Sequence, residues 1–257
     1  MIYLLAPTHG SMSQQKFFSD YLDKKGLDFQ IISDCNKILD MKILEKDVFL
    51  CGIPVDNYEK NIETIRLIKS KNAKIFFLMD HWHNSWKNFY DTDSNAFVLP
   101  EKIFCIDKKM KDSFLSSGIK EQNMVVVGHP ALEETFSKKL SLEKISKIKL
   151  DHGIQGNIVT LYLDPVPRSR KIEIGYCDED VIKMVCSVFQ KFKTENTLLI
   201  KCHPRTENKI VEKILELFPR EKIITSYNLK SMTDNEILNI SDKVLGMTSI
   251  MLAHALV

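Results

Sequence analysis

Six short stretches of this 257-residue chain hold residue types that could do chemistry. Near the start, Pro7-Thr8-His9-Gly10-Ser11 follows an apolar run. Small residues there let the backbone approach a ligand, and a helix beginning near Ser13 offers free N–H groups to an anion. His9 suits a general base toward a sugar hydroxyl or a water, because an imidazole accepts a proton near neutral pH; it suits equally a loop histidine that caps the helix. Met79-Asp80-His81-Trp82-His83-Asn84-Ser85-Trp86 brings two histidines, both tryptophans and a carboxylate together. Asp80 could serve as base or orienter, with His81, Trp82, His83 and Trp86 lining an acceptor site where an indole stacks on a sugar face. Trp82 and Trp86, at i and i+4, could also pack as structural cover. The His81-x-His83 pair has no further ligand at a familiar spacing, so no metal site is expected. His129, in Gly128-His129-Pro130, reads as part of a hinge.

The second half is richer in cations and hydroxyls at the ends of apolar runs. Leu163-Asp164-Pro165-Val166-Pro167-Arg168-Ser169-Arg170-Lys171 crowds positive charge into a proline-braced loop. Arg168 and Arg170 are the candidates there for neutralising a diphosphate, with a solvated loop as the alternative. Lys201-Cys202-His203-Pro204 ends another run ahead of a helix, where His203 can donate to a phosphate oxygen. Gly246-Met247-Thr248-Ser249 opens the last helix with two hydroxyls and unpaired amides, a second anion seat.

Positioning these groups requires strands. Apolar runs at Ile2–Ala6, Phe29–Ser33, Val48–Cys51, Lys74–Met79, Lys102–Ile106, Met124–Val127, Ile158–Leu163, Leu198–Cys202, Lys222–Thr225 and Lys243–Gly246 are mostly continuous rather than alternating, as in strands covered on both faces of a parallel sheet. Segments of helical spacing lie between them, among them Gln14–Lys25, Asn57–Ser70, Lys109–Ser117, Asp178–Phe192, Asn208–Phe218 and Asp234–Ile240. The reading is an α/β protein of two Rossmann-like domains, residues 1–138 on the acceptor side and 150–257 on the nucleotide side, with ligands beyond the carboxyl ends of the strands. Thirty-six Lys and Arg against 34 Asp and Glu leave a formal charge of +2, which argues against non-specific nucleic-acid binding. The six cysteines are scattered singly, as reduced, buried thiols would be, and no run reaches the roughly 20 apolar residues of a membrane span. A cytoplasmic location follows as an expectation.

Lys201-Cys202-His203-Pro204 followed by Gly246-Met247-Thr248-Ser249-Ile250 resembles the His-Pro and Ser/Thr-Ser elements of bacterial GT-B transferases that make surface polysaccharides, the CMP-sialic-acid and capsule transferases among them. It is similar also to CDP-glycerol polymerases and, more loosely, to UDP-N-acetylglucosamine 2-epimerases. The resemblance implies that His203, Pro204, Thr248 and Ser249 hold the phosphates and ribose of a nucleotide sugar. It implies a metal-independent glycosyltransferase of bacterial surface glycan synthesis, with no cofactor beyond its nucleotide-sugar substrate. The acceptor would be a glycan or a lipid-linked sugar, and association with a membrane surface would be peripheral. An epimerase-like isomerase and a non-catalytic nucleotide-binding subunit are the alternatives. Relative to that group the chain ends early, and the second domain is expected to be shortened at its C-terminus.

Overall fold

The computed structural model describes residues 1–52, 58–82, 85–191, 196–203, 205–218, 223–227, 229, 232–247 and 249–256, without the side chains of His9, Ser85 and Phe136. The chain divides into two compact units, Met1–Ala131 and Leu132–Val257.

The first unit is a parallel sheet with helices between its strands. Its elements are β1 (Ile2–Leu5), α1 (His9–Lys24), β2 (Phe29–Ile32), β3 (Val48–Gly52), α2 (Tyr58–Ser70), β4 (Lys74–Leu78), a short antiparallel pair β5 (Tyr90–Asp91) and β6 (Ala96–Phe97), then β7 (Lys102–Cys105), α3 (Lys108–Ser116) and β8 (Met124–Val126). The sheet order is β2-β1-β3-β4-β7-β8, all parallel. Both faces are covered. Phe49, Cys51, Ile75 and Phe77 enter one core with Ile65 and Ile68 of α2, while Leu4, Leu50 and Leu78 enter another with Leu22 of α1. That two-sided burial is why the strands read as unbroken apolar runs.

Helix α4 (Pro130–Ser137) spans the boundary; the second unit continues with α5 (Leu142–Asp151), β9 (Asn157–Tyr162), α6 (Lys171–Ile174), α7 (Asp178–Phe189), β10 (Asn196–Lys201), α8 (Asn208–Leu215), β11 (Ile223–Thr225), α9 (Asp234–Ile240), β12 (Lys243–Gly246) and α10 (Met251–His254). Its parallel strands run in the order β11-β10-β9-β12. Alternate residues of β10 serve opposite cores: Leu198 and Ile200 pack with α7 and α8, Leu199 with α9. The stretch ahead of β9, left between the two expected domains, packs onto this unit. Ile145 and Ile148 of α5 lie against the α9 core, and the Leu140 N–H donates to Asn239 Oδ1 at 2.8 Å.

Each unit is thus an α/β layer structure of Rossmann type, and each reverses strand order at one point. In the first, the chain moves outward from β1 to β2 and then starts again at β3. In the second it moves from β9 through β10 to β11 and restarts at β12. Ligands of such sheets bind beyond the carboxyl ends of the strands at that reversal. All six cysteines are free, five of them buried. Among the described residues no helix is long and apolar enough to cross a membrane.

Candidate functional site

In the first unit the loop after β1 is shorter than the sequence suggested. Helix α1 starts at His9, not near Ser13, because Thr8 caps it: the Ser11 N–H donates to Thr8 Oγ1 at 3.1 Å, and Ser11 Oγ accepts the Thr8 N–H at 2.9 Å. The reciprocal bonds satisfy two helix-end donors at once. Thr8, then, fills the capping role considered for His9. His9 is the first helical residue; its side chain lies outside the described residues.

What holds α1 against the sheet is polar. Ser11, Gln14, Gln15 and Ser19 are all buried, at spacings of three and four that place them on one helix face. Gln15 Nε2 donates to the carbonyls of Leu5 at 2.7 Å and Leu50 at 2.9 Å, joining the end of β1 to the middle of β3 at the strand-order reversal. Gln14 Nε2 donates to the Met79 carbonyl at 3.0 Å, at the end of β4. Approach is close enough that a Cβ on Gly52 would come within 2.2 Å of Ser11 Cβ. Sequence reasoning missed this face, since it looks for apolar periodicity and these positions are amides and hydroxyls; the Ser-x-x-Gln-Gln spacing was the available signal.

Asp80 sits just past β4, against the first turn of α1. A Cβ on Gly10 would lie 2.8 Å from Asp80 Oδ2. The carboxyl is 7% exposed, and its Oδ1 has no hydrogen-bond partner among the described residues. His81 Nε2 is 3.7 Å from Oδ1, beyond hydrogen-bond range. Burial pushes Asp80 up to about 7, its own backbone hydrogen bond pulling only weakly the other way. A carboxyl so placed changes charge near neutral pH, the range useful to a group that takes and returns a proton.

The aromatic residues after Asp80 diverge. Trp82 Nε1 donates to Asp107 Oδ2 at 2.8 Å, and the indole stacks on His129 with ring centroids 6.4 Å apart and planes 12° from parallel. His129 is buried, its Nε2 lies 3.2 Å from the Asp80 carbonyl, and desolvation lowers its pKa. Asp107 also caps α3, accepting the Met110 N–H at 2.7 Å. Trp82, Asp107 and His129 therefore brace the peptide of Asp80, while one third of Trp82 stays open to solvent. Trp86 turns the other way, edge-on to Tyr90 and packed on the α2 core. His83 lies outside the described residues.

In the second unit the carboxyl ends of β10, β9 and β12 stand side by side, so the segments after them share one edge of the sheet. His203 follows β10, the loop with Arg168 and Arg170 follows β9, and Ser249 follows β12. With strands about 4.8 Å apart, the His203 and Ser249 segments flank β9 at roughly 10 Å. Pro204 and Thr248 lie outside the described residues. His203 stands at a turn rather than a helix start: its Nδ1 accepts the Arg205 N–H at 3.1 Å and its carbonyl accepts the Thr206 N–H at 2.8 Å, ahead of α8, which starts only at Asn208. Ser249 Oγ accepts the Met251 N–H at 3.3 Å at the start of α10.

The cations differ in freedom. Lys201 Nζ lies 2.9 Å from Asp234 Oδ1 on the opposite sheet face from α8, so its charge is matched. Arg170 is held by Glu173 through two contacts of 3.0 and 3.1 Å. Arg168 makes no ion pair among the described residues and lines a pocket with Pro165, Val166, Arg205 and Thr206. The N-terminus of α7 beside it is closed to anions by its own carboxylates, Asp178, Glu179 and Asp180. No group of three or more His, Cys, Asp or Glu side chains among the described residues is gathered as a metal set.

No protein-family model matches the sequence, and no curated protein matches it. Solved structures do match in fold. The UDP-GlcNAc 2-epimerase of Methanocaldococcus jannaschii superposes with a TM-score of 0.62 at 13% identity, covering 99% of this chain and 80% of that one. Anabaena HepE, solved in complex with UDP-glucose, gives 0.60 at 10% identity over 99% and 77%. The wall teichoic acid polymerase TagF gives 0.56 at 11% identity over 99% and 67%. The fold is that of GT-B-type glycosyltransferases and 2-epimerase-like proteins.

Proposed function

We propose that this chain is a metal-independent glycosyltransferase of GT-B type, its second unit holding a CMP- or UDP-sugar and its first supplying the group that takes the acceptor's proton. The observation that carries this reading is the gathering of the Arg168 loop, His203 and Ser249 along one carboxyl edge of a sheet whose strand order reverses between β9 and β12. Similarity in fold to HepE, which was solved with UDP-glucose, supports the nucleotide-sugar class.

In the reaction, the acceptor hydroxyl oxygen forms a bond to the anomeric carbon as the bond from that carbon to the phosphate oxygen breaks. The phosphate leaves with the electron pair, and the hydroxyl proton passes to His9 or to Asp80. Arg168, His203, and the hydroxyls and amides at Thr248 and Ser249 would neutralise the departing phosphate, which lets protein groups do the work a divalent ion does elsewhere. Arg170 and Lys201, neutralised by Glu173 and Asp234, would contribute to phosphate binding only by exchanging those partners for the ligand. Trp82, with one open side, would offer a stacking face to a glycan or lipid-linked acceptor, helped by His81 and His83, whereas Trp86, packed on the α2 core, serves as structural cover. The setting would be bacterial surface polysaccharide assembly on the cytoplasmic face, with peripheral membrane contact at most.

Incubation with CMP- and UDP-sugars tests this: free nucleotide should appear only when an acceptor is added. A second reading, an isomerase acting on a UDP-sugar alone, is supported by the similarity to the 2-epimerase and by a buried carboxyl that titrates near 7. Product from a UDP-sugar without acceptor would select it. Tight nucleotide binding with no turnover under either condition would select a non-catalytic subunit.

A further inference from the structure

On the buried polar face of α1, Gln14 and Gln15 carry the same amide at the same depth, 1% and 0% exposed, and each leaves its Oε1 without a partner among the described residues. Their surroundings differ. Successive helix residues point about 100° apart. Gln15 gives its Nε2 to the carbonyls of Leu5 and Leu50, whereas Gln14 gives its Nε2 to the carbonyl of Met79, the residue joined to Asp80. Gly10, one turn before Gln14 on the same face, is the position where a side chain would run into the Asp80 carboxyl. Gln14 and Asp80 therefore share the place where α1 crosses the end of β4.

Hydrogen bonding at that place is unbalanced. Gln14 Oε1 and Asp80 Oδ1 are both buried acceptors, and neither receives a donor from the described residues. An ionised Asp80 would leave two unsatisfied acceptors in the interior beside a negative charge, which is costly. A protonated Asp80 is itself a donor, and one O–H between the two atoms answers both needs. Other described groups around the carboxyl do not supply that donor. His81 Nε2 stands 3.7 Å from Oδ1, His129 is directed at the Asp80 carbonyl, Asp107 is engaged with Trp82 and the start of α3, and Gly10 and Gln14 bring no titratable group from α1.

We infer that Gln14 is the positioning residue of Asp80, its Oε1 accepting the hydrogen bond from Asp80 Oδ1–H and so holding the carboxyl in its proton-bearing form. Burial, which pushes Asp80 up to about 7, acts in the same direction. Once that proton has left, the carboxylate is free to take the acceptor's hydroxyl proton, which forms the new O–H bond on Asp80; Gln14 makes and breaks no covalent bond. The inference rests on the transferase reading for its part in turnover, while the Gln14–Asp80 pair stands on the hydrogen-bond geometry alone.

Carbon-13 NMR titration of the Asp80 carboxyl, identified by its loss in Asp80→Asn, tests the pair without reference to activity. Gln14→Met, which keeps the length and removes the acceptor, should lower the titration midpoint by roughly half to one pH unit, the worth of one hydrogen bond to the neutral form. Gln14→Glu should raise it, as two carboxyls sharing one proton do. Gln15→Met, equally buried but turned toward β1 and β3, should cost stability and leave the midpoint where it was. In turnover assays, the inflection of kcat/KM with pH should move with the NMR midpoint in both Gln14 variants. Should Gln14→Met not fold, Gln14→Glu carries the test, because its protonated form can still donate to Met79 and accept from Asp80. Midpoints unchanged in the Gln14 variants, or a shift in Gln15→Met as large as in Gln14→Met, would overturn the pairing and leave the transferase reading intact. Shifted midpoints in a protein that transfers no sugar would remove the transferase reading and keep the pair.

Discussion

Among single residues, Asp80 has the clearest consequences. A buried carboxyl raised to about 7 binds its proton more tightly in the folded than in the unfolded chain, where an aspartate titrates near 3.9. The fold therefore gains from this group below about pH 4, loses the gain progressively between about pH 4 and 7, and has none of it above. Asp80→Asn removes the cost of burying the charge, so its melting temperature should exceed that of the wild type by several degrees at pH 8 and match it at pH 4. If Asp80 takes the acceptor's proton, the same variant should lose at least 100-fold in kcat, and the wild-type kcat/KM should rise with pH through an apparent pKa near 7. Greater stability with lower turnover is the mark of a strained functional group; a less stable Asp80→Asn at pH 8 would make Asp80 a structural carboxylate instead. The Asp80 position was legible in the sequence as the only carboxylate in an aromatic and histidine-rich strand end. Its bracing by Trp82, His129 and Asp107 was not, because Asp107 and His129 come from two other strand ends.

At the level of elements, strands were legible and helix faces less so. Continuous apolar runs located the sheet strands because two-sided burial leaves no polar alternation to confuse them. The hairpin of β5 and β6 passed unnoticed, since two-residue strands carry no pattern. Helix α1 shows the sharper lesson: its buried face is polar at Ser11, Gln14, Gln15 and Ser19, and its start is set by one hydroxyl, so hydrophobic spacing located it four residues late. Thr8→Ala should cost about 1 kcal/mol through loss of the cap, readable as a lowered denaturant midpoint. Gly52→Ala should be far worse, because its methyl would overlap Ser11 Cβ and push α1 off the β3 end. A Gly52→Ala protein as stable as the wild type would mean that α1 is not seated as described. In the second unit, the His-Pro segment was read as a helix start, whereas the structure spends His203 on a turn and reserves the helix for Asn208. Asp178, whose carboxyl accepts the Val166 N–H and the Thr206 hydroxyl, ties together residues 12 and 28 positions away from it, a link that no local pattern announces.

For the molecule as a whole, each unit is drawn from one uninterrupted stretch, Met1–Ala131 and Leu132–Val257, with its own sheet and its own buried clusters. Residues 1–131 produced alone should therefore melt in a single cooperative transition, as a domain with a complete core does; a gradual loss of structure on heating would show that the first sheet depends on the rest of the chain. That contiguity also bears on biosynthesis. Every strand of the first sheet has been polymerised before the first strand of the second is begun, so the N-terminal half can reach its native state while its successor is still being extended, and an error in the later half need not be inherited by the earlier one.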